Sequence, residues 1–288
     1  MNTVKDILQR VGKLPPLPDT AVKLMNVIND PQSTVEGIVE IIRYDQAVTA
    51  EVLRLCNSAF FGMARNISSL NDAMLCLGTV KVLQLVMSVH TNSMLSQAQS
   101  GCGLPPGMLW RHSVAVALAS SAVAQRLHRP NVNLVFTAGL LHDIGKVILN
   151  EYVADEFLEI VRRVREDRQS FSEAEHTVLG YSHQEVGGRI AEMWKLPEPI
   201  IRCIRYHHSP AELEPPDPLV DIVYLANSRC LLLGIGLGED GRYSRADEAV
   251  MHRHALHESD LENVGAQVLT DLKRVEQLFE GAEESLRD

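Results

Sequence analysis

The chain has 288 residues, 45% of them hydrophobic, and carries 37 acidic against 27 basic side chains for a formal net charge of −10. It can bury a substantial core in one large or two modest domains, and its acidic balance opposes the phosphate attraction behind most non-specific nucleic-acid affinity, so no nucleic-acid partner is expected. No stretch approaches the roughly 20 apolar residues of a membrane helix, and Met1-Asn2-Thr3-Val4-Lys5-Asp6 lacks a signal peptide's apolar core; a cytoplasmic protein with no membrane partner is expected.

Apolar residues at helical spacing from Leu17 to Ile28 end at Asn29-Asp30-Pro31 and predict a first helix. Ser33-Thr34-Val35-Glu36 reads as a capping box, with Ser33 as the cap, and opens a second. Further patterns cover Val48 to Asn57, Ser69 to Leu77 and Thr79 to Leu95. The Gly- and Pro-interrupted stretch Ser96 to Gly107 is the best linker, and it divides residues 1–100 from 101–288. Beyond it, helices are predicted over Met108 to Leu127, Asn133 to Asn150, Asp155 to Asp167, Ser172 to Leu179, Gln184 to Trp194, Glu198 to His207 and Pro218 to Leu233. After a loop-like stretch from Gly234 to Asp247, a last helix carries Leu261, Val264, Val268, Leu272, Val275 and Phe279 on one face. No segment sustains the period-two alternation of a strand, so the fold class is all-α.

Five cysteines without a C-x-x-C pair form neither a disulfide framework nor a thiolate zinc site. Cys56, Cys76, Cys203 and Cys230 lie in apolar helical patterns and are expected in the core; Cys102 falls in the linker.

His142 and Asp143 stand side by side in Leu140-Leu141-His142-Asp143-Ile144-Gly145-Lys146, where they can present a neutral nitrogen and a negative oxygen to one divalent cation from a helix's buried face. Alone, the pair is better read as a histidine bonded to a carboxylate in a helical core. Its company changes that reading: His112, His183 and the doublet His207-His208 also adjoin amphipathic helices. Burying these groups separately would require a separate set of partners for each, whereas a shared metal serves them all. His90 and His128 read as surface or boundary residues, His176 as part of a mixed face, and His252, His254 and His257 as a solvated cluster. Glu175 could support His183 from behind. Asn57, Ser58, Phe60, Phe61 and Gly62 read as the anchor of a helix end in the core rather than as a ligand platform.

The order His112, His142-Asp143, His183, His207-His208 resembles the HD superfamily of metal-dependent phosphohydrolases. From about residue 14 to 233 the chain resembles the HDOD family, the HD-related output domain of bacterial signalling. The matching pieces are Leu14-Pro15-Pro16-Leu17-Pro18, Tyr44-Asp45-Gln46-Ala47-Val48-Thr49, Leu53-Arg54-Leu55-Cys56-Asn57-Ser58-Ala59-Phe60-Phe61-Gly62, and Trp194-Lys195-Leu196-Pro197 leading to His207-His208.

The resemblance implies a multi-helical HD-like fold with a smaller N-terminal helical part. It also implies a divalent transition metal in one or two positions, iron first, with manganese, nickel and zinc as alternatives. One position would use His112, His142 and Asp143, with Asn227 where a late aspartate is expected; the other would use a bridging Asp143 with His183, His207 and His208. Lys146, one turn after Asp143, would contact a phosphate or stand as a solvated or ion-paired lysine. Two departures weigh against catalysis: Ser209-Pro210 replaces the Glu and Gly-Tyr-Pro stretch of the HD-GYP relatives, and Met108 stands where they can supply a glutamate. The expected function is a signal-transduction module whose partner is a signalling protein or a phosphate-containing ligand. The alternative is a metal-dependent phosphohydrolase or phosphodiesterase acting on a nucleotide or cyclic dinucleotide, with Asp143 and Lys146 at its catalytic centre.

Overall fold

The computed structural model describes residues 22–24, 27, 34–42, 46–57, 67–96, 104–129, 132–152, 156–235 and 248–284, and every regular element among them is a helix. The first half contributes α1 (Val35–Ile42), α2 (Gln46–Cys56), α3 (Leu70–Leu77) and α4 (Thr79–Leu95). At the start of α1, Thr34 Oγ1 accepts the Gly37 N–H at 3.2 Å; the expected cap, Ser33, lies outside the described residues. Ser69 caps α3 as its spacing predicts, accepting the Asp72 N–H at 3.1 Å. The apolar stripes of these helices meet in a cluster that includes Leu24, Ile38, Ile42, Val52 and Met74. Cys56 belongs to it, but Cys76 is exposed, because α3 buries the face of Leu70, Ala73 and Met74 and turns Cys76 away.

Helix α4 serves two cores. Val82, Leu83 and Val86 close the first cluster, and Met87 and Leu95 enter the larger one. His90 therefore sits at only 9% exposure, deeper than the surface or boundary placement its sequence suggests. The two ends of the linker meet, since Gly107 N–H donates to Ser96 O at 2.8 Å; residues 97–103, Cys102 included, lie outside the described residues.

The second half comprises α5 (Met108–Arg126), α6 (Val132–Leu141), α7 (Ile144–Tyr152), α8 (Phe157–Glu166), α9 (Phe171–Leu179), α10 (His183–Met193), α11 (Glu198–Tyr206), a 3-10 turn (Pro210–Glu212), α12 (Pro218–Leu232), α13 (Glu248–Arg253) and α14 (Glu258–Glu284). Helix α5 is buried along nearly its whole length, against α6, α12 and α14. His112 thus rides a central helix rather than an amphipathic surface one.

Two expectations change. The helix predicted over Asn133 to Asn150 is broken between α6 and α7, with His142 and Asp143 in the break; the apolar run is continuous across it, so periodicity alone does not reveal it. The short α13 is not expected from the sequence, because its six residues bury only Val250 and leave no apolar period to detect. His254, from the same region, is not solvated. Its Nε2 lies 2.9 Å from Oδ2 of the buried Asp221, whose oxygens also accept from Arg253 at 2.8 and 3.2 Å. No helix among the described residues is long and apolar enough to cross a membrane.

Candidate metal centre

Six residues from four places in the fold converge: His112 in α5, His142 and Asp143 between α6 and α7, His183 at the start of α10, and His207-His208 just after α11. Close helix crossings make the convergence possible. A Cβ at Gly139 would come within 3.0 Å of Ala117 Cα, so its absence lets α6 settle on the helix that carries His112. A Cβ at Gly145 would overlap the carbonyl oxygen of His183, so only glycine lets α7 start against α10.

The same local chemistry orients several of the rings. His142 and His207 each follow a helix end, where the last carbonyls lack intrahelical donors. Nδ1 of His142 meets Gly139 O at 2.7 Å, and Nδ1 of His207 meets Ile204 O at 2.8 Å. In α5, His112 Nδ1 meets Ile235 O at 2.9 Å. A carbonyl oxygen can only accept, so each Nδ1 carries the proton and each Nε2 presents a lone pair. His183 is held by Glu175, whose Oε2 accepts from ring Nδ1 at 2.5 Å and from the backbone N–H at 3.0 Å. The supporting role suggested for Glu175 is what the geometry shows.

All four Nε2 atoms face Asp143. His142 and His112 lie 3.4 and 3.7 Å from Oδ2, and His183 and His207 lie 3.4 and 3.5 Å from Oδ1. Donors about 2.1 Å from one tetrahedral ion would be about 3.4 Å apart, so the spacing suits a shared cation better than direct hydrogen bonds. His142 Nε2 and Asp143 Oδ1 are buried without a hydrogen-bond partner, as atoms awaiting a metal would be. The ligand atoms fall into two sets that share Asp143: His183, His207 and His208 on one side, and His112 and His142 on the other.

Asn227 joins the second set, with Oδ1 3.0 Å from His112 Nε2. Since the proton of that ring is on Nδ1, two acceptors face each other, a conflict that a cation between them or a rotation of the amide resolves. Lys146 is neither solvated nor free to reach outward: it is 3% exposed and its Nζ donates to Asp143 Oδ2 at 2.8 Å.

The electrostatics follow from burial and neighbours. Burial alone would push the Asp143 carboxyl up, but the neighbouring His142 ring and the Lys146 ammonium hold it well below the usual carboxylate range. Burial pushes His207 down to about 4, leaving its ring neutral and able to bind a metal. Burial also works to lower His183, but the Glu175 carboxylate outweighs it and the net shift is upward. A polar cleft of about 860 Å³, lined in part by Ser182, Arg205, Tyr206, His208 and Ser209, abuts the cluster, and of the clustered groups only His208 reaches its wall. Met108 packs against the core one turn before His112. The Asn57 signature is partly described, and residues 58–66 lie outside the described ones. Asn57 Nδ2 donates to Leu53 O and Ile67 O at 2.9 and 2.7 Å, and its Oδ1 accepts the Ile67 N–H at 2.7 Å, which is a structural clamp.

Comparison with known proteins finds that the family model of the HDOD domain matches residues 14–210. An HDOD domain protein of unknown function from Geobacter sulfurreducens is 28% identical, with a TM-score of 0.71 over 98% of this chain and 94% of that one. A candidate phosphohydrolase from Shewanella amazonensis SB2B is 25% identical, with a TM-score of 0.70 over 94% of this chain and 97% of its own. A candidate signal transduction protein from Marinobacter aquaeolei VT8 shares the fold at a TM-score of 0.76 and 22% identity, over 96% of this chain and 64% of its own. An uncharacterised protein of Treponema pallidum (strain Nichols) is 27% identical over 228 residues, 77% of this chain and 43% of that protein. The chain thus spans under half the length of this curated relative.

Proposed function

We propose a function from one premise: this chain belongs to the HDOD family. It acts as a regulatory module of signal transduction whose HD-type centre binds a divalent transition metal, with residues 1–100 and 101–288 as its two parts. Asp143, His183, His207 and His208 supply one set of ligands, and His112, His142, Asp143 and Asn227 the other. Iron is the first candidate, and manganese, nickel and zinc suit the same mixed imidazole and carboxylate donors. The module answers to a signalling protein or a phosphate-containing ligand.

The observation that carries the metal reading is the shared orientation of the four rings, each pinned at Nδ1 and turned with Nε2 toward one buried carboxylate. Orientation of metal-ligating histidines by a carbonyl or carboxylate behind the ring is the usual arrangement. Regulation is favoured over catalysis because the centre is enclosed, Lys146 is tied inward to Asp143, and Asn227 offers an amide where a carboxylate would add charge.

The second reading, a phosphohydrolase, draws on the polar cleft that reaches His208 and on likeness to the Shewanella candidate phosphohydrolase. A bound metal would supply Lewis-acid chemistry toward a phosphate ester, with Asp143 and Lys146 nearest to it. Metal analysis of the purified protein and of an Asp143→Ala variant, with turnover of a generic phosphodiester followed in the same samples, separates the readings. Stoichiometric metal that the variant loses, without turnover, is the expected result. Metal-dependent turnover would transfer the assignment to the hydrolase, and absence of metal from both proteins would overturn the centre itself.

A further inference from the structure

Asp143 divides its two oxygens between unlike surroundings. Among the described residues, Oδ1 faces only imidazole nitrogens, those of His183 at 3.4 Å and His207 at 3.5 Å. Oδ2 faces His142 at 3.4 Å and His112 at 3.7 Å, and it also accepts from the Lys146 ammonium at 2.8 Å. We propose that Lys146 stands as a built-in cation on the Oδ2 side, so that the protein holds one divalent ion, bound by Asp143, His183, His207 and His208, rather than two. This inference rests on the reading of the cluster as a metal centre.

Charge balance supports it. Among the described residues, the carboxylates in contact with the cluster are Asp143 and, behind His183, Glu175. Two divalent ions together with Lys146 would bring five positive charges against those two negative ones in a place where every imidazole but His208 is buried. Uncompensated charge is costly to bury. The two sides also differ in kind. On the Oδ1 side Glu175 lends negative charge through the His183 ring, whereas on the Oδ2 side the further oxygen donor is the neutral amide of Asn227. A metal at the His112 and His142 position would have to compete with a buried ammonium for the same oxygen. Access points the same way, because the polar cleft opens onto His208, a member of the Oδ1 set.

The test is zinc stoichiometry, measured by elemental mass spectrometry on full-length protein dialysed against a small excess of zinc(II), with circular dichroism to confirm folding. The wild type is expected to retain about one ion per chain. Lys146→Met, which keeps an unbranched side chain one atom shorter and removes its charge, is expected to retain about two. His183→Ala should fall to near zero, while His112→Ala should still retain about one. Two ions in the wild type, or no gain in a folded Lys146→Met, would overturn the inference and leave the metal centre standing. Loss of the ion from His112→Ala with its retention in His183→Ala would overturn the inference in the same way, and these two histidine variants decide the matter should Lys146→Met fail to fold. Zinc absent from the wild type and every variant would instead overturn the metal reading on which the inference rests.

Discussion

Glu175 accepts two hydrogen bonds from one residue, the ring Nδ1–H and the backbone N–H of His183, through a single oxygen. It thereby sets the ring's tautomer and the start of α10 together. Glu175→Gln preserves shape but removes the charge that makes the His183 nitrogen a stronger donor. Such a change behind a metal-ligating histidine lowers metal affinity by about 10- to 100-fold. Competition against a chromophoric chelator measures it, and equal affinities in the two proteins would mean that Glu175 does not tune the metal.

Gly145→Ala tests whether the centre depends on the approach of α7 to α10. The added methyl would overlap the His183 carbonyl oxygen and come within 2.8 Å of Gly187 N, both backbone atoms that cannot swing aside. Overpacking of this kind costs about 3 kcal/mol, at the upper end of the ordinary range. Gly37→Ala in α1 is the control, since among the described residues its methyl would meet only Thr34 Oγ1, at an ordinary 3.5 Å, and it should stabilise by about 0.5 kcal/mol. Urea denaturation of the two variants would refute the role of the close crossing if both changed stability equally.

The helical class and most helix positions could be read from apolar periodicity, and the spacing of His112, His142-Asp143, His183 and His207-His208 marked the residues that converge. What periodicity could not show was the break after Leu141, because the break carries no change in hydrophobicity. The burial of Lys146 was equally hidden: a lysine one turn from an aspartate usually reaches water, and only the enclosed Asp143 carboxylate turns it inward. Nor does the local sequence predict that Asp221 would gather Arg253 and His254 from more than thirty residues away, since a long-range ion pair leaves no periodic trace. The orientation of His142 and His207 is more regular than either position suggested, because both rings cap the end of the helix they follow.

Asn57 clamps the chain at Ile67: its amide takes both the N–H and the C=O of Ile67 as well as the carbonyl of Leu53. Asn57→Ala removes the side-chain partner of both the N–H and the C=O of Ile67, which is 2% exposed, while Leu53 O keeps the backbone N–H of residue 57 at 3.0 Å. The expected loss is about 2 kcal/mol of stability, with zinc binding retained because the clamp lies in the first-half cluster. A chemical melt read beside the zinc titration checks both halves of this statement, and loss of zinc in a folded variant would contradict the second.

Acid should weaken the docking of α14 through Asp260. Its Oδ2 accepts the His257 N–H at 2.8 Å, and its Oδ1 is paired with Arg126 of α5. That backbone hydrogen bond, aided by the Arg126 charge, holds the carboxyl below its ordinary value. A carboxyl depressed on folding releases its proton more readily in the native state, so its contribution is complete above the unfolded value of about 3.9 and disappears as pH falls through the folded value. Thermal midpoints from pH 7 down to pH 2 should therefore fall less steeply below about pH 4 in Asp260→Asn than in the wild type, because an amide has no proton to gain. Parallel profiles for the two proteins would show that the Arg126 and His257 contacts do not survive in solution.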